Sequence, residues 1–186
     1  KFTGFEVVRI SDQLGAVTLN VTGLGGVSTV ELAAGGDGGT SVISNLASNG
    51  TVKLTANSTA FAVEVKDAAF NAADVLNLQL SKSGGVLAAG TITAAGVETV
   101  NISAADAATA GSAAAINTMT LTAADATKIV VTGNNGIDLS ASVAAKVTSF
   151  DASGVVGNGT ADTAANLAVT YVSDNNDVAA VVTITG

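Results

Sequence analysis

The stretch Gly4-Phe5-Glu6-Val7-Val8-Arg9-Ile10-Ser11 returns as Gly96-Val97-Glu98-Thr99-Val100-Asn101-Ile102-Ser103, identical at five of eight positions. A second echo joins Thr51-Val52-Lys53-Leu54-Thr55-Ala56 to Thr118-Met119-Thr120-Leu121-Thr122-Ala123. These segments alternate apolar and polar residues, which is the signature of a strand with one buried face. Repetition of one such unit is what stacked coils require, since each coil buries its apolar face only against its neighbours. The offsets, 92 and 67 residues, differ, so the period is not strict.

Alternation spreads outward from these segments. It is read in Val17–Thr22, Val27–Leu32 (with one slip), Val52–Thr55, Phe61–Val65, Val75–Leu80 and Val97–Ile102. It continues in Met119–Thr122, Lys128–Thr132, Val147–Asp151, Val169–Val172 and Val178–Thr185. Short Val-, Ile- and Thr-rich runs bounded by Gly, Asn, Asp and Ser predict an all-β chain. Two architectures fit: a parallel β-helix or β-solenoid, and an antiparallel β-sandwich. The solenoid is preferred. A sandwich core uses large rings to fill the space between its sheets, and aromatics here are only 3% with no Trp. Coils of roughly 20 residues rising about 4.8 Å each would give a rod on the order of 40 Å long. Helix is expected only as one turn in Asp67–Asp74, capped by Asp67, and locally in the Ala-rich Ala104–Ala115.

Composition excludes many functions. The 186 residues include no Cys, His or Pro, so a thiol nucleophile, a His-based triad, a disulfide and a Cys/His zinc site are all excluded. Seven Lys+Arg, of which Arg9 is the one arginine, are dispersed against fifteen Asp+Glu, giving net charge −8. No basic patch exists for nucleic acid. No run of about 18 apolar residues would span a membrane. The chain begins Lys-Phe-Thr without Met and ends on Thr-Ile-Thr-Gly, and residues 1–186 are read as a single solenoid segment of a longer protein. An acidic, Thr/Ala/Gly-rich, cysteine-free chain fits an extracellular setting.

Acidic residues gather in turns: Asp37 in Gly35–Gly39, Asn134 and Asp138 in Thr132–Asp138, and Asp174 with Asp177 in Ser173–Asp177, while Asp151 lies singly. Gly lets carbonyls turn inward and Asp and Asn supply hard oxygens, the ligands Ca²⁺ takes six to eight at a time. The same residues are also the ordinary turn formers. Asp174 and Asp177 form the one tight Asp pair, with no cationic or aromatic support beyond Tyr171, and no catalysis is expected of them. The Thr-x-Thr pairs at 91–93, 120–122 and 183–185 are too few for a regular surface lattice and read as β-formers.

The segments 4–10, 96–102, Ile129–Ser140 and Val147–Gly154 resemble bacterial surface proteins of the repeats-in-toxin (RTX) type. They are most similar to the S-layer proteins of alphaproteobacteria such as Caulobacter. That resemblance implies a calcium-stabilised β-solenoid, secreted by a type I route to the cell surface, with a structural or adhesive role. It implies self-association into a lattice, contact with a surface polysaccharide as a further possibility, and no enzymatic activity. It carries calcium-binding roles onto Asp138 with Asn134, and onto Asp151. The tandem GGxGxDxUx repeats of the family are missing, met only in part by Gly133–Leu139, so any ions would be isolated.

Overall fold

The computed structural model describes residues 4–38, 40–82, 85–106, 115–157, 164–177 and 179–186. Among these residues fifteen strands follow in order. The first eight are β1 (Val7–Ile10), β2 (Thr18–Asn20), β3 (Thr29–Leu32), β4 (Val42–Leu46), β5 (Gly50–Leu54), β6 (Ala60–Val65), β7 (Val75–Lys82) and β8 (Ala88–Ala95). The rest are β9 (Thr99–Asp106), β10 (Asn117–Thr122), β11 (Lys128–Gly133), β12 (Ile137–Leu139), β13 (Ser149–Val155), β14 (Val169–Tyr171) and β15 (Thr183–Thr185).

Odd strands form one sheet in the order β1-β3-β5-β7-β9-β11-β13-β15, and even strands a second in the order β14-β12-β10-β8-β6-β4-β2. Every pairing between these strands is parallel. Each coil thus gives one strand to each sheet, which is the solenoid expected from the repeats and excludes the antiparallel sandwich. Along the first sheet, coil length varies from 21 residues, between the paired Val130 and Asp151, to 34, between Asp151 and Thr185. At about 4.8 Å per coil the eight-stranded sheet spans roughly 35 Å.

The two repeats have different origins. Residues 4–11 and 96–103 both enter strands of the first sheet, four strands apart. Hydrogen-bonded register places Val7, Thr29, Thr51, Asn77 and Asn101 in one column, two residues beyond the match of Val7 to Thr99. A slip of two keeps every side chain on its own face. The 67-residue echo instead relates β5 to β10, on opposite sheets, so it marks a shared strand pattern rather than a coil period.

Inward positions form aliphatic ladders. Val8, Val30, Val52, Leu78, Ile102 and Val131 stack in one column of the first sheet, and Leu19, Ile43, Val63 and Ala94 in one column of the second. Nearly all of these away from the ends are sealed from solvent. Each buried Val, Leu or Ile contributes about 1.5–3 kcal/mol. Phe61, 1% exposed, is the largest side chain in this interior, and Phe150 stacks on Tyr171 with ring centroids 4.3 Å apart.

The alternation of buried and less buried positions breaks in β4, β8 and β13, while β12 keeps it. In β4, Asn45 takes φ 61 at a register shift between Ser44 and Leu46. In β8, Gly90 takes φ 64, and β12 lies inside the Gly/Asn/Asp-rich turn. The expected turn of helix is a 3-10 turn at Ala68–Phe70, but Asp67 makes no side-chain cap and itself has φ 60. Ala104–Asp106 complete β9 rather than a helix, and 107–114 lie outside the described residues. Of Val178–Thr185, only Thr183–Thr185 is strand, and Val178 lies outside the described residues.

Candidate functional site

The acidic residues are held by hydrogen bonds to groups nearby in the chain or one coil away. Asp37 is exposed and accepts the Ser41 hydroxyl at Oδ1, 3.1 Å. Asp138 Oδ1 accepts the Ser140 N–H at 2.8 Å, and Asp151 Oδ1 accepts both the Ser153 hydroxyl (2.7 Å) and N–H (3.0 Å). Asp174 turns both oxygens to the Ala144 N–H one coil away, at 3.1 and 3.0 Å, and Asp177 Oδ1 accepts the Ala179 N–H at 2.9 Å. These bonds close turns or join coils, the conformational role of such residues. Asn134 clamps two coils, accepting the Asp106 N–H at 3.0 Å and donating to the Asp106 carbonyl at 3.1 Å.

The six residues are not brought to one point. Among the described residues no three acidic side chains converge as a metal cage would require. Asn134 is directed to the first sheet's β9 end, while Asp138 lies on β12 of the second sheet. Asp138 stands among hydroxyl groups. It shares a depression of about 140 Å³ with Thr118, Thr120 and Ser140, over the bulge at Gly90. A single carboxylate among hydroxyls fits a hard cation completed by water, at the weak end of the calcium range, about 10⁻⁴–10⁻³ M.

Several features were not legible as sites in the sequence. Asn101 donates to Asn77 Oδ1 (2.8 Å) and Asn77 to Asn49 Oδ1 (3.1 Å), an amide ladder running up the outer face of the first sheet. It borders a groove of about 340 Å³ lined also by Thr51, Gln79, Ser103 and Thr132. Only the coil register brings these residues together. Asn135, in the same turn as Asn134, is fully buried and joins Asn117 at 3.0 Å in a satisfied interior network. Thr91 and Thr93 lie directly beside Thr120 and Thr122, a patch of four hydroxyls, while Thr183 and Thr185 sit on the other sheet.

Charge along the first sheet is organised by coil. Glu31 receives Arg9 from the coil before (2.9 Å) and Lys53 from the coil after (3.3 Å). Burial pushes its pKa up, but the two cations outweigh that and hold it below the ordinary 4.5. Lys146, at 2.7 Å, and then the Gly96 N–H hold Asp125 below 3.8. The Ser140 and Ser153 hydroxyls and N–H groups do the same for Asp138 and Asp151. A carboxylate whose pKa is depressed by folding contributes stability that is present above its unfolded pKa and lost as pH falls through the folded value. The melting temperature should therefore be level from neutral pH down to about 5 and decline below about 4. A melting temperature that rises on acidification to pH 3 would contradict these pairings.

One carboxylate is out of keeping with the rest. Asp74 is 3% exposed, and its Oδ2 has no hydrogen-bond partner among the described residues. An unpaired buried polar oxygen costs about 1–3 kcal/mol. Asp74→Asn keeps the shape and removes the charge, and is expected to raise the urea midpoint by about 1 kcal/mol of stability. A lower midpoint would show that the carboxylate is paired in solution.

No family model matches the sequence, and no curated protein is significantly similar to it. Among the described residues no helix is long and apolar enough to cross a membrane.

Proposed function

We propose that this chain is a structural module of a secreted, calcium-stabilised bacterial surface protein of the S-layer type, which self-assembles on the cell surface and carries no catalytic activity. The observation that supports this reading most is the parallel stacking of successive coils in both sheets. Such a body offers length, stiffness and repeated surfaces, properties suited to a scaffold. Asp138, Asp151 and Asp177 accept backbone N–H groups at Oδ1, and Asp37 accepts the Ser41 hydroxyl there, which leaves Oδ2 outside those bonds. Divalent cations bridging such oxygens would relieve the repulsion of a chain at net charge −8.

The test is calorimetric. Millimolar calcium is expected to raise the melting temperature over that in excess chelator, and Asp138→Asn to reduce the rise. An identical melting temperature in calcium and chelator would overturn the calcium part of the reading. A second reading, an adhesin or carbohydrate-binding stalk, is favoured by the uncharged polar groove along Thr51, Asn77, Gln79 and Asn101. Binding of neutral glycans on an array, lost in Asn77→Ala, would favour it.

A further inference from the structure

One corner of the solenoid carries a column of oxygen-bearing side chains. Asp74 and Glu98 stand one place before the paired Val75 and Thr99, and Thr127 and Thr148 one place before the paired Lys128 and Ser149. Lys128 is in turn paired with Thr99, and the pairing of Gly50 with Leu76 sets Ser48 beside Asp74. The column therefore runs Ser48, Asp74, Glu98, Thr127, Thr148, one residue per coil and about 4.8 Å apart. Its hydroxyls are engaged. Ser48 Oγ accepts the Val75 N–H at 3.0 Å, and Thr127 and Thr148 donate to the carbonyls of Glu98 and Thr127 at 3.3 and 3.4 Å.

The two acids in the middle are held differently. Glu98 and Thr99 donate to the Asp74 carbonyl at 3.2 and 3.0 Å, which locks the two coils together here. Glu98 Oε2 accepts the Asp74 N–H at 2.8 Å, so its carboxylate is drawn over Asp74. Asp74 leaves the backbone on the same side, is 3% exposed, and has Oδ2 without a partner among the described residues. Elsewhere the chain neutralises acids set between coils: Glu31 has Arg9 and Lys53, and Asp125 has Lys146 at 2.7 Å. No described Lys or Arg forms an ion pair with Asp74 or Glu98.

We propose that Asp74 and Glu98 share one hard divalent cation, for which calcium has the right chemistry. Stacked carboxylates repel one another, and an oxygen withdrawn from water without a partner is costly. Water answers the hydrogen bond but not the charge. Burial selects the ligand, because a carboxylate 3% exposed admits no amine or peptide, whereas a bare ion reaches it past the half-buried Glu98. The Ser48 hydroxyl oxygen and water complete the shell, and calcium accepts such irregular oxygen sets. Two carboxylates place the affinity at the weak end, about 10⁻⁴–10⁻³ M. The site is independent of Asp37, Asp138, Asp151 and Asp177, and it extends the calcium part of the proposed function to a corner joining two coils.

The test is the urea midpoint of the whole chain in excess chelator and in about 10 mM calcium chloride, at or above ten times that range. In chelator Asp74→Asn is expected to be the more stable chain, since it sheds the unpaired charge. In calcium its lead is expected to vanish or reverse, because the carboxylate takes the ion and the amide does not. Glu98→Gln keeps an oxygen for the Asp74 N–H and is expected to lose the same part of the calcium response. Asp67→Asn, an exposed acid of the same loop, removes an equal charge and is expected to respond to calcium as the unaltered chain does. A difference between Asp74→Asn and the unaltered chain that is the same in both solutions would overturn this site and leave calcium elsewhere standing. Absence of a calcium response in all four chains would overturn both the site and the calcium reading.

Discussion

Gly133→Ala is expected to destabilise the protein by about 3 kcal/mol or more. Gly133 ends β11 with φ 126, in register with Ala104 of β9. A Cβ there would overlap the Ala104 carbonyl oxygen and stand 2.7 Å from its carbon. The obstacle is backbone of the neighbouring coil, which cannot rotate away, so the added methyl would force two hydrogen-bonded coils apart. Gly38→Ala is the control, because a Cβ there meets nothing within 4 Å. It should change stability by less than about 0.5 kcal/mol. Urea denaturation of the two variants measures both, and equal midpoints would contradict the register of β9 with β11.

Leu78→Ala is expected to cost about 2–5 kcal/mol. Leu78 is 1% exposed and lies between Val52 and Ile102 of the flanking coils, so the cavity it leaves cannot collapse without moving both ladders. Ile184→Ala removes a similar side chain from the last coil, where it is 64% exposed, and should cost under about 1 kcal/mol in the dilute chain. The contrast between an internal and a terminal rung is what a stack of coils predicts, since each coil is buried only by its neighbours.

The sequence carried the architecture because alternation is a local signal. Wherever a strand keeps strict period two, as in Val75-Leu76-Asn77-Leu78-Gln79-Leu80, the inward set and the strand are read together. The signal fails where the strand bends. Asn45 and Gly90 sit in left-handed backbone inside β4 and β8, which breaks the alternation that would announce them, and β12 hides among turn residues. The candidate site was legible as residue types but not as geometry. Asp138 and Asp151 lie on β12 and β13 rather than in turns, each bound to a serine two residues on. Their partners across coils depend on register, as do the Asn49–Asn77–Asn101 ladder and the clamp of Asn134 on Asp106. Register depends on coil lengths that vary from turn to turn, and no local pattern encodes it. The buried carboxylate of Asp74 was invisible for the same reason, since an Asp before a strand reads as a turn former until its neighbours are known.

Sedimentation velocity of the chain, at fixed protein concentration in millimolar calcium and again in excess chelator, tests the scaffold reading most directly. Rapidly sedimenting, elongated assemblies are expected in calcium, returning to a single slow species on chelation. One slow species of unchanged sedimentation coefficient under both conditions, at every protein concentration, would contradict it.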